Sequence, residues 1–474
     1  MYIDGQWVTE RSHFLVTNPA SGDVIGEVPD CTSEDIDAAI TAASEALKSW
    51  KQTTAYERSG LLYRAWEIML SRKQELAELM TREQGKPLKA SLNEVQYGAD
   101  FLLWFAEEAK RINGQTIPSS RDNQRFITQK VPVGVVGAIT PWNYPISMIT
   151  RKLAPALAAG CTLVLKPAEQ TPLCAKAMAE VFEEAGFPAG VINVITSRDP
   201  APVGEAFCSD PRIRKLAFTG STAVGKKLNA QAAAHMKRVS MELGGHAPAI
   251  VFPDADPAHA AKGLSLVKFL NTGQACISPN RIFVHRVHAE AFLAELTARV
   301  CRLKAGSGFE AGNSIGPLIN EAALQKVDSQ VQDALAKGAT LYTGGHRLTD
   351  GELRGGLFYA PTVLAGVTPE MRIYYEETFG PVAPVVIYGD EDDVLAMAND
   401  TEYGLAAYVY SNNLSTAVKA FEALEFGIIG INDINPTSAA APFGGMKSSG
   451  LGREGAQEGI EEYLETKLGG FALG

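Results

Sequence analysis

The sequence predicts an α/β fold made of at least two domains. The chain has 474 residues, more than a single hydrophobic core usually accommodates. From about residue 126 onward, short apolar strands alternate with amphipathic helices, which is typical of parallel sheets covered by helices. A second strand–helix series starts near Gly245, so we place a domain boundary there.

Composition excludes several classes of protein. Apolar residues make up 46% and charged residues 20% of the chain, as in ordinary globular proteins. A formal net charge of −11 argues against nucleic-acid and anionic membrane partners. No run of about 18 apolar residues predicts a membrane span, and the N-terminal "MYIDGQWVTE" lacks the features of a secretory signal. We expect neither a nucleic-acid nor a membrane partner.

The six cysteines are far apart and form no CxxC pair, so a disulfide scaffold is not expected. No spacing of His, Cys and acidic residues predicts a zinc site, and we expect no metal. Together these features predict a cytoplasmic location, where thiols stay reduced.

The first half of the chain is predicted to begin with helices and continue with alternating elements. Residues 33–112 are predicted helical, with Ser33 as the first N-cap, and residues 126–142 are predicted to be one strand. Further strands are predicted at 162–167, 190–196, 215–220, 238–245 and 247–252. Further helices are predicted at 172–186, 202–210 and 223–235.

The second half repeats the alternation. A helix is predicted over 264–275, followed by a strand at 280–287 and a helix at 289–303. Strands are also predicted at 382–389 and 406–411. The last segment, 463–473, has strand character and is a candidate to pair with another subunit.

A glycine-rich element, "LAFTGSTAVGKKL", connects a predicted strand with a predicted helix. Gly220 to Lys226 matches the start of a P-loop, but Lys227 occupies the position where Ser or Thr would bind Mg²⁺. Glycines before a helix N-terminus also suit a dinucleotide phosphate. A plain tight turn is the third interpretation, and the local sequence leaves all three open.

Two acidic residues follow predicted strands. Glu169 lies with Lys166 just past a strand, where an acid can bind ribose hydroxyls in a doubly wound sheet. Glu242 ends the strand in "MELGG", and burial there would raise its pKa into the range of a general base. A solvated turn and a partly exposed strand end are the alternatives for these two positions.

Cys276 lies in "NTGQACISPN" at a predicted helix–loop junction. A reactive thiolate needs a positive or dipolar environment, and no cation precedes Arg281 in the local sequence. His285 and His288 are expected at the surface, so they are poor partners for the thiol. Cys161, Cys174 and Cys301 are expected to be small hydrophobic side chains.

Taken together, the motifs resemble those of the aldehyde dehydrogenase superfamily. They occur in the family's order along essentially the whole chain: "TPWNYP", "LKPAEQTP", "FTGSTAVG", "MELGG", "NTGQACISPNR", "EETFGPV" and "APFGGMKSSGLGREG". The resemblance implies a Rossmann-type nucleotide-binding domain (1–112 and 134–244) and an α/β catalytic domain (245–445). It also implies a small β oligomerisation element (113–133 and 446–474), and hence a homodimer or homotetramer.

The resemblance also implies roles for individual residues. Cys276 would attack the aldehyde, the Asn143 amide and the Cys276 N–H would hold the oxyanion, and Glu242 would activate water. The implied cofactor-binding residues are Thr140, Trp142, Lys166, Glu169, Gly220, Ser221, Gly225, Leu243, Glu377 and Phe379. Glu169 would favour NAD⁺ over NADP⁺, because its carboxylate would face the 2′-phosphate. The resemblance therefore favours a dinucleotide site over a P-loop for the glycine-rich element.

Within the superfamily, the chain is most similar to succinate-semialdehyde dehydrogenases. This similarity implies that Arg151, with Ser438, binds the substrate carboxylate, although a structural ion pair is the alternative for Arg151. That group usually has a second Arg six residues before the nucleophile, and here that residue is Leu270. Losing a charge-assisted contact of about 1.5–3 kcal/mol weakens binding about tenfold or more. The substrate is therefore expected to be a semialdehyde or another small anionic aldehyde.

Other substrates and activities stay open at this point. Lactaldehyde, glycolaldehyde or sulfolactaldehyde would suit a site with only one arginine. A thiol esterase or acyltransferase would use Cys276 without a nucleotide. A CoA-acylating enzyme would not need Glu242 as the base. A non-catalytic protein would not need Cys276, Glu242 and Asn143 together.

Overall fold

The computed structural model describes all residues, 1–474, and confirms the mixed α/β class. The helices are α1 Ser33–Trp50, α2 Ala55–Ser71, α3 Lys73–Gln84, α4 Leu88–Glu108, α5 Ser147–Ala159, α6 Pro172–Glu184, α7 Pro200–Ser209, α8 Thr222–Ala233, α9 Pro257–Phe269, α10 Ala289–Val300, α11 Glu321–Ala336, α12 Val394–Asn399, α13 Leu414–Ala423 and α14 Ala456–Glu461. None of them is long and apolar enough to cross a membrane.

Twenty-four strands form two large sheets and four smaller ones. They are β1 Tyr2–Ile3, β2 Gln6–Trp7, β3 His13–Thr17, β4 Val24–Pro29, β5 Thr116–Ile117, β6 Gln124–Pro132, β7 Val135–Ile139, β8 Thr162–Lys166, β9 Ile192–Val194, β10 Ile213–Thr219, β11 Arg238–Glu242, β12 Ala247–Val251, β13 Pro279–His285, β14 Lys304–Ala305, β15 Asn313–Ile315, β16 Thr340–Thr343, β17 Arg347–Leu348, β18 Phe358–Tyr359, β19 Thr362–Ala365, β20 Val382–Tyr388, β21 Ala406–Tyr410, β22 Ile428–Ile431, β23 Gly450–Leu451 and β24 Leu464–Ala472.

Two large sheets organise the molecule. The first has eight strands in the order β2-β1-β9-β8-β7-β10-β11-β23, and its central strands are parallel. The second has seven strands in the order β16-β19-β20-β13-β12-β21-β22 and is parallel except at β16. Strands buried on both faces, such as β8 and β12, need an apolar layer on each side, which the flanking helices supply.

A small antiparallel sheet stands apart from both large sheets. Strand β24 pairs with β6 over nine residues, from Leu464 against Pro132 to Ala472 against Gln124, and β5 pairs with the other edge of β6. The strand character predicted for the C-terminal segment is confirmed. Within the chain its partner is β6, and β24 is an edge strand of this small sheet.

The first helix begins one residue earlier than predicted. Thr32, and not Ser33, is its N-cap, because the Thr32 hydroxyl accepts a hydrogen bond from the Asp35 amide. The Asp35 carboxylate accepts the Thr32 amide in return, which completes a capping box. Helix α2 begins with the same arrangement of Thr54 and Glu57.

Two predicted elements have other bounds in the structure: the strand expected at 126–142 was too long, and the helix expected over 264–275 begins seven residues earlier, at Pro257. The single strand expected at 126–142 is two strands, β6 and β7, in different sheets. They are separated at Gly134, whose φ of 126° is readily adopted only by glycine. The helix expected over 264–275 ends at Phe269, because Asn271 and Thr272 have φ values of 48° and 61° and cannot continue a right-handed helix.

Candidate active site

Several of the predicted site residues lie at or just after the carboxyl ends of the parallel strands in the first sheet. Thr219, which ends β10, is paired with Glu242, which ends β11. Likewise, Ile139 at the end of β7 is paired with Lys166 at the end of β8. The turn at Gly220, the acid Glu242 and the residues that follow β7 and β8 therefore share one edge of the sheet, where doubly wound folds bind ligands.

Cys276 lies on a short loop between α9 and β13 that is held by neighbouring backbone. The Thr272 hydroxyl donates to the Gly316 carbonyl (3.1 Å) and accepts from the Gly316 amide (2.9 Å). The Gln274 side chain donates to the Pro317 carbonyl (3.1 Å) and accepts from the Ile319 amide (3.0 Å). These contacts hold the left-handed backbone of Asn271 and Thr272, a conformation that costs of order 1 kcal/mol or more per residue.

The Cys276 side chain is half-buried, and three charged groups act on its thiol. Burial raises the pKa of Cys276 to about 12. This value is the net result: the Arg151 cation acts to lower the pKa, whereas the negative charges of Glu242 and Glu377 act with burial to raise it. Arg151, distant in sequence, therefore supplies the cation that the local sequence did not show.

Asn143 is buried beside the Cys276 loop. Its side-chain Nδ2 donates to the Gln274 carbonyl at 2.9 Å, two residues before Cys276. The backbone carbonyl of Asn143 accepts from Lys86 Nζ at 2.7 Å and from Asn271 Nδ2 at 3.0 Å. One contact uses one of the two amide protons, so the second can be donated to an oxyanion on a carbon attached to Cys276.

Glu242 is buried, and neither of its carboxyl oxygens has a hydrogen-bond partner in the protein. Burial raises the pKa of Glu242 well above its usual value, and the negative charge of Glu454 raises it further. Arg151 and Lys152 act in the opposite direction. A buried carboxyl group without a partner, and with a raised pKa, is suited to accept a proton near neutral pH.

Arg151, Lys152 and Glu454 form a buried ionic cluster. Glu454 lies 2.8 Å from Arg151 Nε and 2.5 Å from Lys152 Nζ, and these two cations hold its pKa below the usual range. The Arg151 guanidinium also lies over the Phe443 ring, 3.9 Å from its centroid. The ion pair considered as the alternative for Arg151 is therefore present, and Nη2 is buried without a hydrogen-bond partner in the protein.

The glycine-rich turn fits a close approach of the backbone to a phosphate. Ser221 caps α8 by accepting from the Val224 amide, so the first turn of that helix opens directly after Gly220. A Cβ on Gly225 would lie 2.3 Å from Leu243 Cδ2, so glycine alone allows the helix to pack this close to Leu243. Such a glycine-lined helix N-terminus has the donor groups that a dinucleotide pyrophosphate requires.

Other predicted cofactor residues lie at two places near this turn. Lys166 Nζ lies 3.0 Å from a Glu169 carboxylate oxygen beyond β8, and the Thr140 amide donates to the Lys166 carbonyl at 3.2 Å. Glu377 accepts from the Gly245 amide at 2.9 Å, and burial raises its pKa.

The remaining two cofactor residues, both aromatic, contact each other. The Trp142 and Phe379 rings meet edge to face with centroids 5.6 Å apart. Residues assigned to the phosphates and to the nicotinamide are therefore neighbours in the fold, although 237 positions separate Trp142 from Phe379 in the chain, since 379 − 142 = 237.

The two predicted substrate residues differ in their surroundings. Arg151 is buried, whereas Ser438 is exposed on the loop that precedes Phe443, and its hydroxyl makes no hydrogen bond in the protein. Leu270 is 44% exposed at the end of α9, just before the nucleophile loop. An exposed leucine there leaves no cation at the position where the resemblance predicts an arginine.

Several buried residues of the site were missed from the sequence. Lys86, Lys152, Asn271 and Glu454 give no local signal, because their partners are distant in the chain. Lys86 and Asn143, for example, are 57 residues apart, and Lys152 and Glu454 are 302 apart.

Two expectations were wrong. His285 was expected at the surface but is buried, with its ring 5.1 Å from that of Tyr388 and its Nε2 3.2 Å from Asp390. Cys301 was expected to be a small hydrophobic side chain but is exposed at the end of α10. Cys161 and Cys174 are buried, as predicted.

Comparison with known proteins gives full-length matches. The profile described as "Aldehyde dehydrogenase family" matches residues 7–468. The 3-sulfolactaldehyde dehydrogenase of Pseudomonas putida is 49% identical, over 99% of this chain and 96% of its own. Succinate-semialdehyde dehydrogenase (NADP(+)) GabD of Escherichia coli (strain K12) is 50% identical, over 98% and 96%. The crystal structure of succinate-semialdehyde dehydrogenase from Burkholderia pseudomallei matches with a TM-score of 0.97 and 47% identity, over 100% and 97%.

Proposed function

The chain belongs to the aldehyde dehydrogenase family, and we propose that it oxidises a small anionic aldehyde, such as a semialdehyde, to the carboxylic acid with NAD(P)⁺. The observation that carries this proposal is the grouping of three residues from different elements. Cys276, the Asn143 amide and the buried Glu242 lie around one site beside the glycine-rich turn.

In the first step, the Cys276 thiolate attacks the aldehyde carbon. Arg151 favours the thiolate electrostatically. The second amide proton of Asn143 and the Cys276 backbone N–H then stabilise the oxyanion of the thiohemiacetal. NAD(P)⁺ bound at the Gly220–Gly225 turn would accept the hydride from the former aldehyde carbon, leaving a thioester on Cys276.

In the second step, Glu242 removes a proton from the water that attacks the thioester. Its carboxyl group is buried and has no partner in the protein, so it is available to that water. Hydrolysis releases the carboxylic acid and restores the thiol. Because Glu242 is present in a suitable position, water is the proposed acyl acceptor and CoA is not.

The charges near Cys276 favour an anionic substrate. Arg151 and Lys152 carry two positive charges, while Glu454, which lies close to both, supplies one negative charge. The unpartnered Nη2 of Arg151 is the proposed contact for the anionic group of the substrate, with Ser438 assisting from the exposed loop. A hydroxyaldehyde such as sulfolactaldehyde is the second candidate, favoured by the 49% identical relative of that specificity and by Leu270.

NAD⁺ is the proposed preferred cofactor. The Glu169 carboxylate lies beyond β8 and remains one-third exposed, where it can accept from ribose hydroxyls and repel a 2′-phosphate. Its ion pair with Lys166 places a cation beside it, which also leaves NADP⁺ usable. A kcat/KM that is higher with NADP⁺ than with NAD⁺ would contradict this preference.

The assembly and location are also part of the proposal. The small sheet of β5, β6 and β24 exposes Ile127 and Phe471, and we assign it to the interface of a homodimer or homotetramer. A reducing compartment, such as the cytoplasm, would keep Cys276 a free thiol.

An aldehyde panel tests the proposed substrate class. It should contain succinate and glutarate semialdehydes, sulfolactaldehyde, lactaldehyde, glycolaldehyde and a neutral alkyl aldehyde, each with NAD⁺ and with NADP⁺. Turnover is followed by absorbance of the reduced nicotinamide, which also separates dehydrogenation from thiol esterase activity. Equal kcat/KM values for anionic and neutral aldehydes would contradict the anionic class.

The variant Leu270→Arg tests the departure from the succinate-semialdehyde group. The new guanidinium should lower KM for dicarboxylic semialdehydes about tenfold or more and leave neutral aldehydes unchanged. Leu266→Arg is the matched control, because Leu266 is also exposed on α9 but lies one turn earlier. An equal effect of the two variants would show that general charge, and not this position, matters.

A further inference from the structure

A buried ion pair lies beside the site without containing a reacting group. Lys86 follows α3 and Glu94 lies within α4, and each side chain is 1% exposed. Lys86 Nζ donates to Glu94 Oε2 and lies 4.2 Å from the centre of the Tyr144 ring. Burying two charges in this way carries a large desolvation cost. A specific role would explain why the fold keeps this pair despite that cost.

The pair holds both ends of one short segment. Lys86 Nζ donates to the backbone carbonyl of Asn143 at 2.7 Å. Glu94 Oε1 accepts from the backbone amides of Ile146 (3.0 Å) and Ser147 (3.2 Å) at the start of α5. The backbone between Asn143 and Ser147 is therefore fixed at one end by the ammonium and at the other by the carboxylate.

We propose that Lys86 and Glu94 are positioning residues for the oxyanion, acting by fixing the backbone that carries the Asn143 amide. This inference rests on the proposed role of Asn143. The amide itself makes one hydrogen bond, to the Gln274 carbonyl, so the direction of its second proton depends on where the Asn143 backbone lies. The Asn143 carbonyl, shared by Lys86 and Asn271, sets that position.

A double-mutant cycle of Lys86→Met and Asn143→Ala tests the inference. Asn143→Ala should lower kcat by about 100-fold, as expected for the loss of an oxyanion donor. Lys86→Met should lower kcat by roughly tenfold or more in the wild-type background, because a small displacement of a catalytic group is costly. In the Asn143→Ala background, Lys86→Met should change kcat less than twofold, since no amide remains to be misplaced.

The same experiment separates the two possible failures. If Lys86→Met lowers kcat equally in both backgrounds, the residue is merely structural and the positioning role is wrong. If Asn143→Ala leaves kcat unchanged, the oxyanion role of Asn143 is wrong and the positioning role falls with it. The dissociation constant of the reduced cofactor, measured by fluorescence titration, should stay within twofold in the Lys86 and Asn143 variants.

Further variants guard against loss of folding. Glu94→Gln keeps an oxygen for the Ile146 and Ser147 amides but removes the charge pair, so it should fold and show the same non-additivity with Asn143→Ala. Additive effects of Glu94→Gln would also overturn the inference. Lys73→Met is the matched control, because Lys73 joins α3 to α4 through Gln96 at 2.9 Å, away from Asn143, and should leave kcat unchanged.

Discussion

At the scale of single residues, the proposed nucleophile and the proposed base have the same electrostatic requirement, since each must carry a negative charge to react. Cys276 must lose a proton to react, but burial raises its pKa to about 12 and the charges of Glu242 and Glu377 oppose ionisation. Arg151 is the cation that acts in the favourable direction. The same Arg151 also lowers the pKa of Glu242, so one side chain influences both reacting groups.

Replacing Arg151 by Met should slow alkylation of Cys276 by iodoacetamide. Removing the cation raises the pKa of the thiol, and below that pKa each unit of increase lowers the thiolate fraction tenfold. The measurement is the alkylation rate between pH 7 and pH 10 without cofactor or aldehyde. A faster or unchanged rate would contradict the role of Arg151, and Arg198→Met, a change at an exposed position, serves as the control.

Replacing Glu454 by Gln should shift the acidic limb of the kcat profile to lower pH. Removing its negative charge lowers the pKa of Glu242, and the released cations of Arg151 and Lys152 act in the same direction. The base then stays ionised at a lower pH. Removing one partner of this buried cluster should also cost about 3–5 kcal/mol of unfolding free energy, measured by denaturant titration. Glu461→Gln, at an exposed ion pair, should leave the acidic limb in place, and an equal shift in both variants would refute the assignment.

The residues proposed to react were easier to predict from the sequence than the buried charged residues that position them. Cys276, Glu242 and Asn143 lie in recognisable motifs, and the structure brings them around one site. Lys86, Glu94 and Glu454 were missed, because a buried charge is recognised only through partners that folding brings together.

At the scale of elements, helix α8 has a strict steric requirement. Gly225→Ala would place a methyl group 2.3 Å from Leu243 Cδ2, so either the Leu243 side chain or the first turn of α8 must move. Overpacking of this kind costs about 1–3 kcal/mol, so the dissociation constant of the reduced cofactor should rise roughly tenfold. Fluorescence titration measures it.

Gly60→Ala provides the matched control for that helix. Gly60 lies within α2 with no atom within 4 Å of its would-be Cβ, so the change should leave cofactor binding unchanged. It should also raise the unfolding free energy by about 0.5–1 kcal/mol. Unchanged binding in Gly225→Ala would show that α8 tolerates the displacement and does not contact the cofactor closely.

The sequence indicated correctly which segments are helices and which are strands, but it misplaced some of their ends. Helices α1 to α4 follow regular apolar spacing, which the sequence displays directly. The break after α9 depends on Asn271 and Thr272, whose left-handed backbone is maintained by contacts to Gly316 and Pro317 about 45 residues later. Asn271 and Gly273 in "FLNTGQA" are residue types that commonly end helices, and the predicted helix was extended past both.

At the scale of the whole molecule, the small sheet leaves apolar side chains in solvent. Ile127 is 45% and Phe471 is 51% exposed in the isolated chain. Ile127→Asp should weaken the proposed oligomer more than tenfold, because burying an unpaired carboxylate at an interface costs several kcal/mol. Light scattering after size-exclusion chromatography, over a range of protein concentrations, measures the mass.

Tyr56→Asp is the control for the oligomer. Tyr56 is 76% exposed near the start of α2, so its replacement should leave the mass unchanged. A mass that is the same for Ile127→Asp and the unaltered protein would remove the small sheet from the interface.

The overall architecture was the most predictable feature of the chain. The alternation of strands and helices indicated the two parallel-rich sheets, and the resemblance to known enzymes indicated the small β element. The order of strands within each sheet could not be predicted from the sequence, because β7, β8 and β10 become neighbours only through crossover connections.

The strand order has a consequence for redesigning cofactor preference. Glu169 follows β8, which is three strand spacings, about 14 Å, from β11 and its terminal Glu242. Gly220 is next to that acid, because its amide donates to the Glu242 carbonyl at 3.1 Å. To change the proposed cofactor preference, one should therefore alter the β8 end, which is distant from the proposed base, and leave the β10 turn untouched.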